Sequence, residues 1–184
     1  MQMIVPGSKL NVKIRYEMFA RDEVMKLQAA AIHMGEALNS PEFEEFCKNY
    51  KWSKNLCTGM FWWRKCRQNS GISFRLTELN NSQVYDRIIN GAEKLLAEQD
   101  NEADIFIKVD QRYTRNVIGY TYPSTNWQWI YKKYFRQMSV KGVAGNIAHE
   151  WCHKLGFKHE YKYNPIREFT VPYAVGNFVK DFGA

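Results

Sequence analysis

The sequence has no apolar run of the roughly 20 residues that a membrane helix needs, although 45% of its 184 residues are hydrophobic. Residues 1–7 also lack the basic start and long apolar stretch of a secretory signal peptide. These two absences predict a protein without a membrane anchor. They favour a cytoplasmic protein over a secreted one, unless the chain leaves by a route without a signal or has been separated from its leader.

Cysteine is scarce, and its spacing matches no zinc finger. Cys152 lies inside a predicted helix at 141–155, which leaves Cys47, Cys57 and Cys66, and three cysteines can form at most one disulfide. Buried free thiols are favoured, and a Cys57–Cys66 disulfide is the alternative. The cysteines therefore do not settle the compartment.

Internal repeats and low-complexity tracts are absent, and the length suits a single domain spanning residues 1–184. The formal net charge of +7 raises the question of an anionic partner. The basic residues are scattered, however, with only short clusters at 64–67 and 132–133. This pattern favours a basic soluble surface, disfavours a nucleic-acid partner and leads us to expect a monomer.

Hydrophobic periodicity predicts alternating strands and helices, which indicates an α+β fold. The predicted strands are 10–16, 71–79, 103–109 and 127–135, and the predicted helices are 22–38, 41–49, 80–98 and 141–155. Ser40, Asn80 and Ser139 are the expected N-caps, and Gly91 weakens the third helix. Residues 51–70 are rich in tryptophan and basic side chains, which favours a loop packed over the sheet, with stacking on bases or sugars as the alternative.

Histidine is as rare as cysteine, yet three of the four histidines fall within eleven residues, in the pattern H-E-x-x-H-x-x-G-x-x-H at 149–159. His149 and His153 lie one helical turn apart, so both imidazoles can reach one ion. Gly156 can end the helix and bring back His159 as a third ligand. Three imidazoles suit a catalytic Zn²⁺, and Glu150 is placed beside them as a general base. Trp151 points away from the ligands and is predicted to be core.

This motif resembles the zinc signature of the metzincin clan of metallopeptidases. The resemblance implies a zinc-dependent endopeptidase with one Zn²⁺ per chain and a peptide or protein substrate. It also implies a zincin-like fold, in which a twisted mixed sheet packs on helices, including the zinc-binding helix, above a small C-terminal lower part. The upper edge strand, for which the bridge at 118–122 is the candidate, would hold an extended substrate.

One departure concerns the methionine that metzincins place in a tight turn below the metal. This chain has no methionine after Met138. Residues 171–176 are expected to form that tight loop instead, with Val171 or Val175 supplying the apolar contact. By approximate position, Tyr173 resembles a metzincin tyrosine that acts at the zinc and the oxyanion, and it is a second candidate catalytic residue. A core tyrosine is the alternative.

Two other functions remain open. The chain could be a basic aromatic binding module for nucleic acid or a polymer, with a structural or vestigial zinc site. It could also be a zinc hydrolase of a non-peptide amide. The fourth histidine, His33, is interpreted as a surface or core residue and not as a ligand.

Overall fold

The computed structural model of the chain describes residues 1–50, 79–96, 99–159 and 167–183. In these ranges the chain forms five β-strands and six α-helices, which confirms the predicted α+β class. The strands are β1 (Gln2–Val5), β2 (Asn11–Glu17), β3 (Glu102–Asp110), β4 (Gly119–Thr121) and β5 (Trp127–Tyr131). The helices are α1 (Arg21–Asn39), α2 (Pro41–Asn49), α3 (Asn81–Ile89), α4 (Lys132–Gln137), α5 (Val140–Lys154) and α6 (Val171–Asp181), with a 3-10 turn at Arg167–Phe169.

Three predictions fall on residues outside these described ranges. They are the aromatic loop at 51–70, the strand at 71–79 except for its last residue, and the alternative Cys57–Cys66 disulfide. Cys47 and Cys152 are described, and both are buried free thiols, as predicted.

The five strands form one sheet in the order β1-β2-β3-β5-β4. The three central strands β2, β3 and β5 run parallel, and the antiparallel strands β1 and β4 form the edges. The predicted strands at 10–16 and 103–109 match β2 and β3 to within one residue at each end. The predicted bridge at 118–122 contains β4, which lies at the edge where substrate was expected. The short strand β1 is not predicted.

One face of the sheet is buried against helices. Its side chains alternate along each strand, and they include Val12, Ile14, Ile105, Ile107 and Ile130, each at most 2% exposed. On β5 the inward residues are Gln128 and Ile130, so the aromatic residues between them turn to the opposite face. Helices α1 and α5 pack together on the buried side.

The apolar face of α1 and the cap of α2 follow the sequence. The apolar stripe predicted for α1 comprises Val24, Leu27, Ala31, Met34 and Leu38, of which all but the half-buried Val24 are fully buried. The side chain of Ser40 accepts a hydrogen bond from the main-chain N–H of Phe43, which starts α2 as predicted.

Helix α3 is shorter than predicted. Asn80 caps it as expected, but it ends at Ile89 and does not continue to residue 98. The cause is Gly91, whose φ of 59° lies in the left-handed region. A Cβ at Gly91 would lie 2.0 Å from the main-chain oxygen of Glu102, so the glycine lets the chain pass close to the start of β3.

The predicted strand at 127–135 is wrong in its second half. Strand β5 ends at Tyr131, and Lys132–Gln137 form helix α4. In this helix Phe135 is fully buried and its ring meets that of Phe19 edge-on, with the centroids 5.2 Å apart. Burial of Phe135 against α1 therefore overrides the two-residue alternation that continues through the sequence.

The predicted tight loop at 171–176 is also wrong, because these residues are the first turns of α6. Pro172 occupies the first helical turn, where its missing N–H costs nothing. Gly176 serves close packing and not a sharp turn. A Cβ there would lie 2.9 Å from the oxygen of Gly145, and one at Gly145 would lie 2.5 Å from the oxygen of Gly176, so α5 and α6 approach main chain to main chain.

No helix in the described part of the chain is long and apolar enough to cross a bilayer.

Candidate metal centre

Helix α5 carries the first two histidines of the motif. The side chain of Ser139 accepts a hydrogen bond from the N–H of Gly142 at 3.1 Å and so caps the helix as predicted. His149 and His153 are four residues apart and lie on one side of the helix. Trp151 lies on the buried side and is 0% exposed, which confirms it as a core residue.

The turn after α5 brings the third histidine back. The N–H of Gly156 donates to the oxygen of His153, and the N–H of Phe157 donates to the oxygen of Cys152, each at 3.1 Å. These two bonds form a Schellman motif, which requires a left-handed residue, and Gly156 has a φ of 93°. The predicted role of Gly156 is confirmed, and it sends the chain back toward His149.

The three imidazoles meet at one point. Ring nitrogens of His149, His153 and His159 lie within 4.8 Å of one another. The Nε2 atoms of His149 and His159 are 3.1 Å apart. The three ring centroids are separated by 4.9–5.2 Å. The structure thus brings together the three residues predicted as metal ligands.

Main-chain carbonyl groups orient two of the rings. The Nδ1 of His153 donates to the oxygen of Phe157 at 2.8 Å, because a carbonyl can only accept. The hydrogen on Nδ1 leaves the lone pair of His153 on Nε2. The imidazole of His149 interacts with the carbonyl of Pro172 at the start of α6. Such outer contacts fix the tautomer and direction of metal-binding histidines.

Two of the three imidazoles, His149 and His153, are uncharged at neutral pH. Burial lowers the pKa of His149 well below its ordinary value, and the nearby His153 and His159 lower it further. Burial also lowers the pKa of His153 to about 4, against the hydrogen bond to Phe157. A metal binds the neutral imidazole, so both groups are in the ligand form without loss of a proton.

The donor set fits Zn²⁺. Imidazole nitrogen suits zinc, and three protein ligands with an open position are typical of catalytic sites. All three histidines keep partial exposure, which leaves the cluster reachable from solvent.

A second group of side chains that could hold a metal ion is acidic and consists of Asp100, Glu102 and Asp104. The ammonium of Lys13 lies 2.7 Å from a carboxylate oxygen of Glu102 and 3.3 Å from one of Asp104, so it partly neutralises this group.

Glu150 follows the first histidine and is only 7% exposed. Burial raises the pKa of its carboxyl to about 8, and the positive charge of Lys154, one turn further along α5, opposes the rise. A carboxyl with a pKa near the operating pH can both accept and release a proton. This position agrees with the predicted role of Glu150 as a base but does not test it.

Tyr173 lies against the histidines, although the element that carries it was predicted wrongly. Its ring meets His149 edge-on at 4.5 Å and lies 4.8 Å from the ring of His159. Burial raises the pKa of Tyr173, and the positive charge of Arg167 opposes the rise. The guanidinium carbon of Arg167 lies 4.7 Å from the centre of the tyrosine ring. The two valines proposed as the apolar floor, Val171 and Val175, are buried core residues of α6.

Two residues of this region escape prediction from sequence. Arg167 is one of 26 basic residues and carries no local signal. Lys154 is 8% exposed, and its Nζ donates to the carbonyl oxygens of Tyr122, at 3.0 Å, and Thr125. Lys154 thereby ties the end of α5 to the turn between β4 and β5. A buried lysine with main-chain partners cannot be recognised from its spacing alone.

The edge strand is held to the same helix at a second point. A Cβ at Gly119 would lie 2.7 Å from the side-chain oxygen of Asn146, so β4 passes directly over α5.

The fourth histidine, His33, is not part of the metal cluster. Its Nε2 forms a hydrogen bond of 2.8 Å with the main-chain oxygen of Val179, in the last part of α6. His33 is therefore a packing residue, as predicted.

Comparison of the chain with known protein families, with curated proteins and with solved structures found no match.

Proposed function

We propose that this chain is a zinc-dependent metalloendopeptidase that resembles the metzincins. The observation that carries the proposal is the meeting of three imidazoles, from His149, His153 and His159, with their ring nitrogens within 4.8 Å of one another. A structural zinc site does not need a buried glutamate next to its first ligand, whereas a hydrolase does.

The arrangement of elements supports the zincin-like fold that the resemblance implies. A mixed sheet with an antiparallel edge strand lies over the helix of the motif, and α6 closes the site from below. The methionine turn of metzincins is replaced here by a helix. Tyr173, in the first turn of that helix, occupies the place beside the histidines.

In this proposal His149, His153 and His159 hold one Zn²⁺. Bound zinc supplies Lewis acidity and lowers the pKa of water at its open position toward neutrality. The Glu150 carboxylate takes a proton from the water that attacks the scissile carbonyl carbon. It then passes this proton to the departing amide nitrogen as the C–N bond breaks. The phenol of Tyr173 donates a hydrogen bond to the carbonyl oxygen as that oxygen gains charge.

The substrate is held by strand addition. Among the strands that the structure describes, β4 pairs on one side only, and an extended peptide can pair with its other edge through main-chain hydrogen bonds. Lys154 and the Gly119–Asn146 contact fix this strand over α5. The choice among substrate peptides then depends on side-chain pockets beside this edge, because the main-chain hydrogen bonds alone can form with peptides of many sequences.

The test combines zinc content and cleavage of fluorescein-labelled casein on one preparation. We expect about one zinc per chain, loss of cleavage with phenanthroline and its recovery when zinc is restored. Failure to retain zinc after loading would reject the metal site. Zinc retention with no casein cleavage, but with hydrolysis of N-acyl amino acids or amidated sugars, would favour a hydrolase of non-peptide amides.

A further inference from the structure

The face of the sheet turned away from α1 and α5 carries a group of half-exposed aromatic side chains. We call it the outer face. Because side chains alternate along strands, its members come from every second position of β3, β4 and β5. The aromatic members are Phe106, Tyr120, Trp127, Trp129 and Tyr131.

These rings form two neighbouring groups, and the ammonium of Lys108 lies 3.9 Å from the centre of the Trp127 ring. Trp127 meets Phe106 edge-on with the centroids 5.6 Å apart. Trp129 lies parallel to Tyr120, at 5.1 Å and with 7° between the planes. Tyr131 adds a further contact to Tyr120 at 5.5 Å. Along β5 alone, three rings at alternate positions extend over about 13 Å.

The charges on this face are balanced. Its cations pair with carboxylates at 2.7 Å in three places, Lys13 with Glu102, Lys108 with Glu17 and Arg112 with Asp110. Arg15 lies over the Phe106 ring at 5.3 Å. Among the residues that the structure describes, the face holds four cations and four carboxylates, which are Lys13, Arg15, Lys108 and Arg112 with Glu17, Glu102, Asp104 and Asp110. This described part of the outer face is thus neutral, although the whole chain carries a formal charge of +7.

A shallow cavity of about 350 Å³, open to solvent, lies at the end of this face, where β3 finishes. The stacked pair Tyr120 and Trp129 forms part of its wall, and Met18 lies at another side. Asp110, only 8% exposed, accepts hydrogen bonds from the Arg112 guanidinium at 2.7–3.1 Å and from the Tyr120 hydroxyl at 2.9 Å. The polar groups of the cavity are therefore held in fixed directions beside flat rings.

This combination selects one class of ligand. Binding of a polyanion such as nucleic acid gains most of its affinity from unpaired cations that neutralise phosphates. Here three of the four cations are already paired with carboxylates. A sugar strand needs no net charge: its apolar C–H faces pack on aromatic rings, and its hydroxyls both donate to carboxylates and accept from guanidinium groups. A β-linked strand is flat and extended, like the row of rings on β5.

We propose that the outer face binds a neutral, β-linked glycan strand. Sugar rings pack on Trp127 and Trp129, and a terminal sugar occupies the cavity beside Asp110 and Arg112. The site lies on the opposite face of the sheet from α5 and its histidines. It would hold the chain on a polymer independently of any hydrolysis at the metal centre.

The test titrates cellohexaose and chitohexaose into the full-length chain and follows tryptophan fluorescence and binding heat. We expect saturable binding of at least one of them at concentrations below about 1 mM. The difference between the two separates glucose from N-acetylglucosamine polymers. Phenanthroline should leave this binding unchanged, which distinguishes it from binding at the metal centre.

Substitutions locate the site. Trp129→Ala and Trp127→Ala should each weaken binding by roughly tenfold, the order of effect that loss of one stacking side chain has on bound bases. Tyr113→Ala removes an aromatic side chain that is 71% exposed and lies between β3 and β4, with the Lys133 ammonium 4.8 Å from its ring centre, and it should leave binding unchanged. Arg112→Gln keeps the rings and should still weaken binding, so the proposal does not depend on the folding of the tryptophan variants.

Three results would overturn the proposal. One is the absence of binding of both oligosaccharides by the unsubstituted chain at about 1 mM. Another is equal affinity of the unsubstituted chain, Trp129→Ala and Arg112→Gln. The third is tighter, salt-sensitive binding of an oligothymidylate that is lost in the Trp127→Ala and Trp129→Ala variants, which would assign the face to single-stranded nucleic acid.

Discussion

The indole Nε1–H of Trp151 donates a hydrogen bond to the buried carboxyl of Glu93, 2.5 Å away. The same carboxyl oxygen accepts the main-chain N–H of Asp104 on β3 at 3.0 Å. Glu93 is 5% exposed, and burial raises its pKa to about 7, against these two hydrogen bonds. The buried side of α5, opposite the histidines, therefore contacts a carboxyl group, that of Glu93, which changes its charge near neutral pH.

Glu93→Gln should make the protein more stable above pH 7. The folded state keeps a proton on Glu93 from about pH 4.5 to about 7, whereas the unfolded state has lost it. Stability therefore falls as the pH rises through this window. One unit of pKa corresponds to about 1.4 kcal/mol, so the difference reaches on the order of 3 kcal/mol. Glutamine can accept the same hydrogen bonds without this loss.

Urea unfolding of both proteins at pH 5, 6, 7 and 8 measures the effect. The gap between the variant and the parent should widen with pH and level off above pH 7. Glu36→Gln, on the exposed side of α1, serves as the control for loss of a carboxylate. A constant gap would show that Glu93 is ionised in the folded protein at pH 5. The charge of Asp104, whose own pKa is raised by burial, also raises the pKa of Glu93.

His153→Ala should abolish zinc binding. Two imidazoles remain, and within the described residues the cluster contains no fourth histidine, cysteine or carboxylate ligand to replace the lost one. Elemental analysis after loading and gel filtration measures zinc per chain. His33→Ala removes the histidine outside the cluster and should keep stoichiometric zinc. Full zinc retention by His153→Ala would rule out the proposed ligand set.

Glu150→Gln should keep zinc and the fold but lose most turnover of casein. The amide cannot take the proton of the attacking water, and loss of a general base costs roughly a hundred- to ten-thousandfold. Glutamine has nearly the same shape, so the melting temperature should not fall. Glu168→Gln, an exposed acid near the site, is the matched control. Equal rates for Glu150→Gln and the parent would remove Glu150 from the mechanism.

Tyr173→Phe separates the two roles left open for this residue. If the hydroxyl acts on the substrate oxygen, turnover should fall by roughly ten- to a thousandfold while zinc content and melting temperature are kept. A lower melting temperature with normal specific activity would instead identify Tyr173 as a core residue. Tyr113→Phe, at an exposed position, should change neither quantity.

Lys154→Met should loosen the edge strand. Methionine keeps most of the apolar stem but leaves the carbonyl groups of Tyr122 and Thr125 without their donor. We expect a loss of about 1–3 kcal/mol in the free energy of unfolding and a higher KM for casein with little change in kcat. Lys158→Met, at an exposed position just beyond the same helix, is the control. An unchanged KM would show that the turn between β4 and β5 does not position substrate.

Local features of the chain could be predicted from sequence because their causes are local. The caps at Ser40, Asn80 and Ser139 and the turn at Gly156 each depend on side chains within a few residues. The histidine cluster belongs to this group, since one helix and one turn deliver all three rings. The inward alternation of β2 and β3 follows from their own periodicity.

The errors concern residues whose conformation depends on distant partners. Residues 171–176 form a helix because their apolar side chains pack on α5, although proline and glycine there favoured a loop. Phe135 is helical because it reaches Phe19. The hydrogen bond from Lys154 to Tyr122 joins segments 32 residues apart in sequence. Arg167 lies over Tyr173, six residues further on, but no spacing rule identifies it.

The crossing at Gly145 and Gly176 limits how this protein can change over generations. A side chain at either position would collide with the main chain of the other helix, at 2.5 or 2.9 Å. Separating the helices would carry Tyr173 away from His149, whose Cβ already lies 3.1 Å from a Cβ built at Gly176. Any descendant that keeps the histidine cluster in this form must therefore keep glycine at both positions 145 and 176.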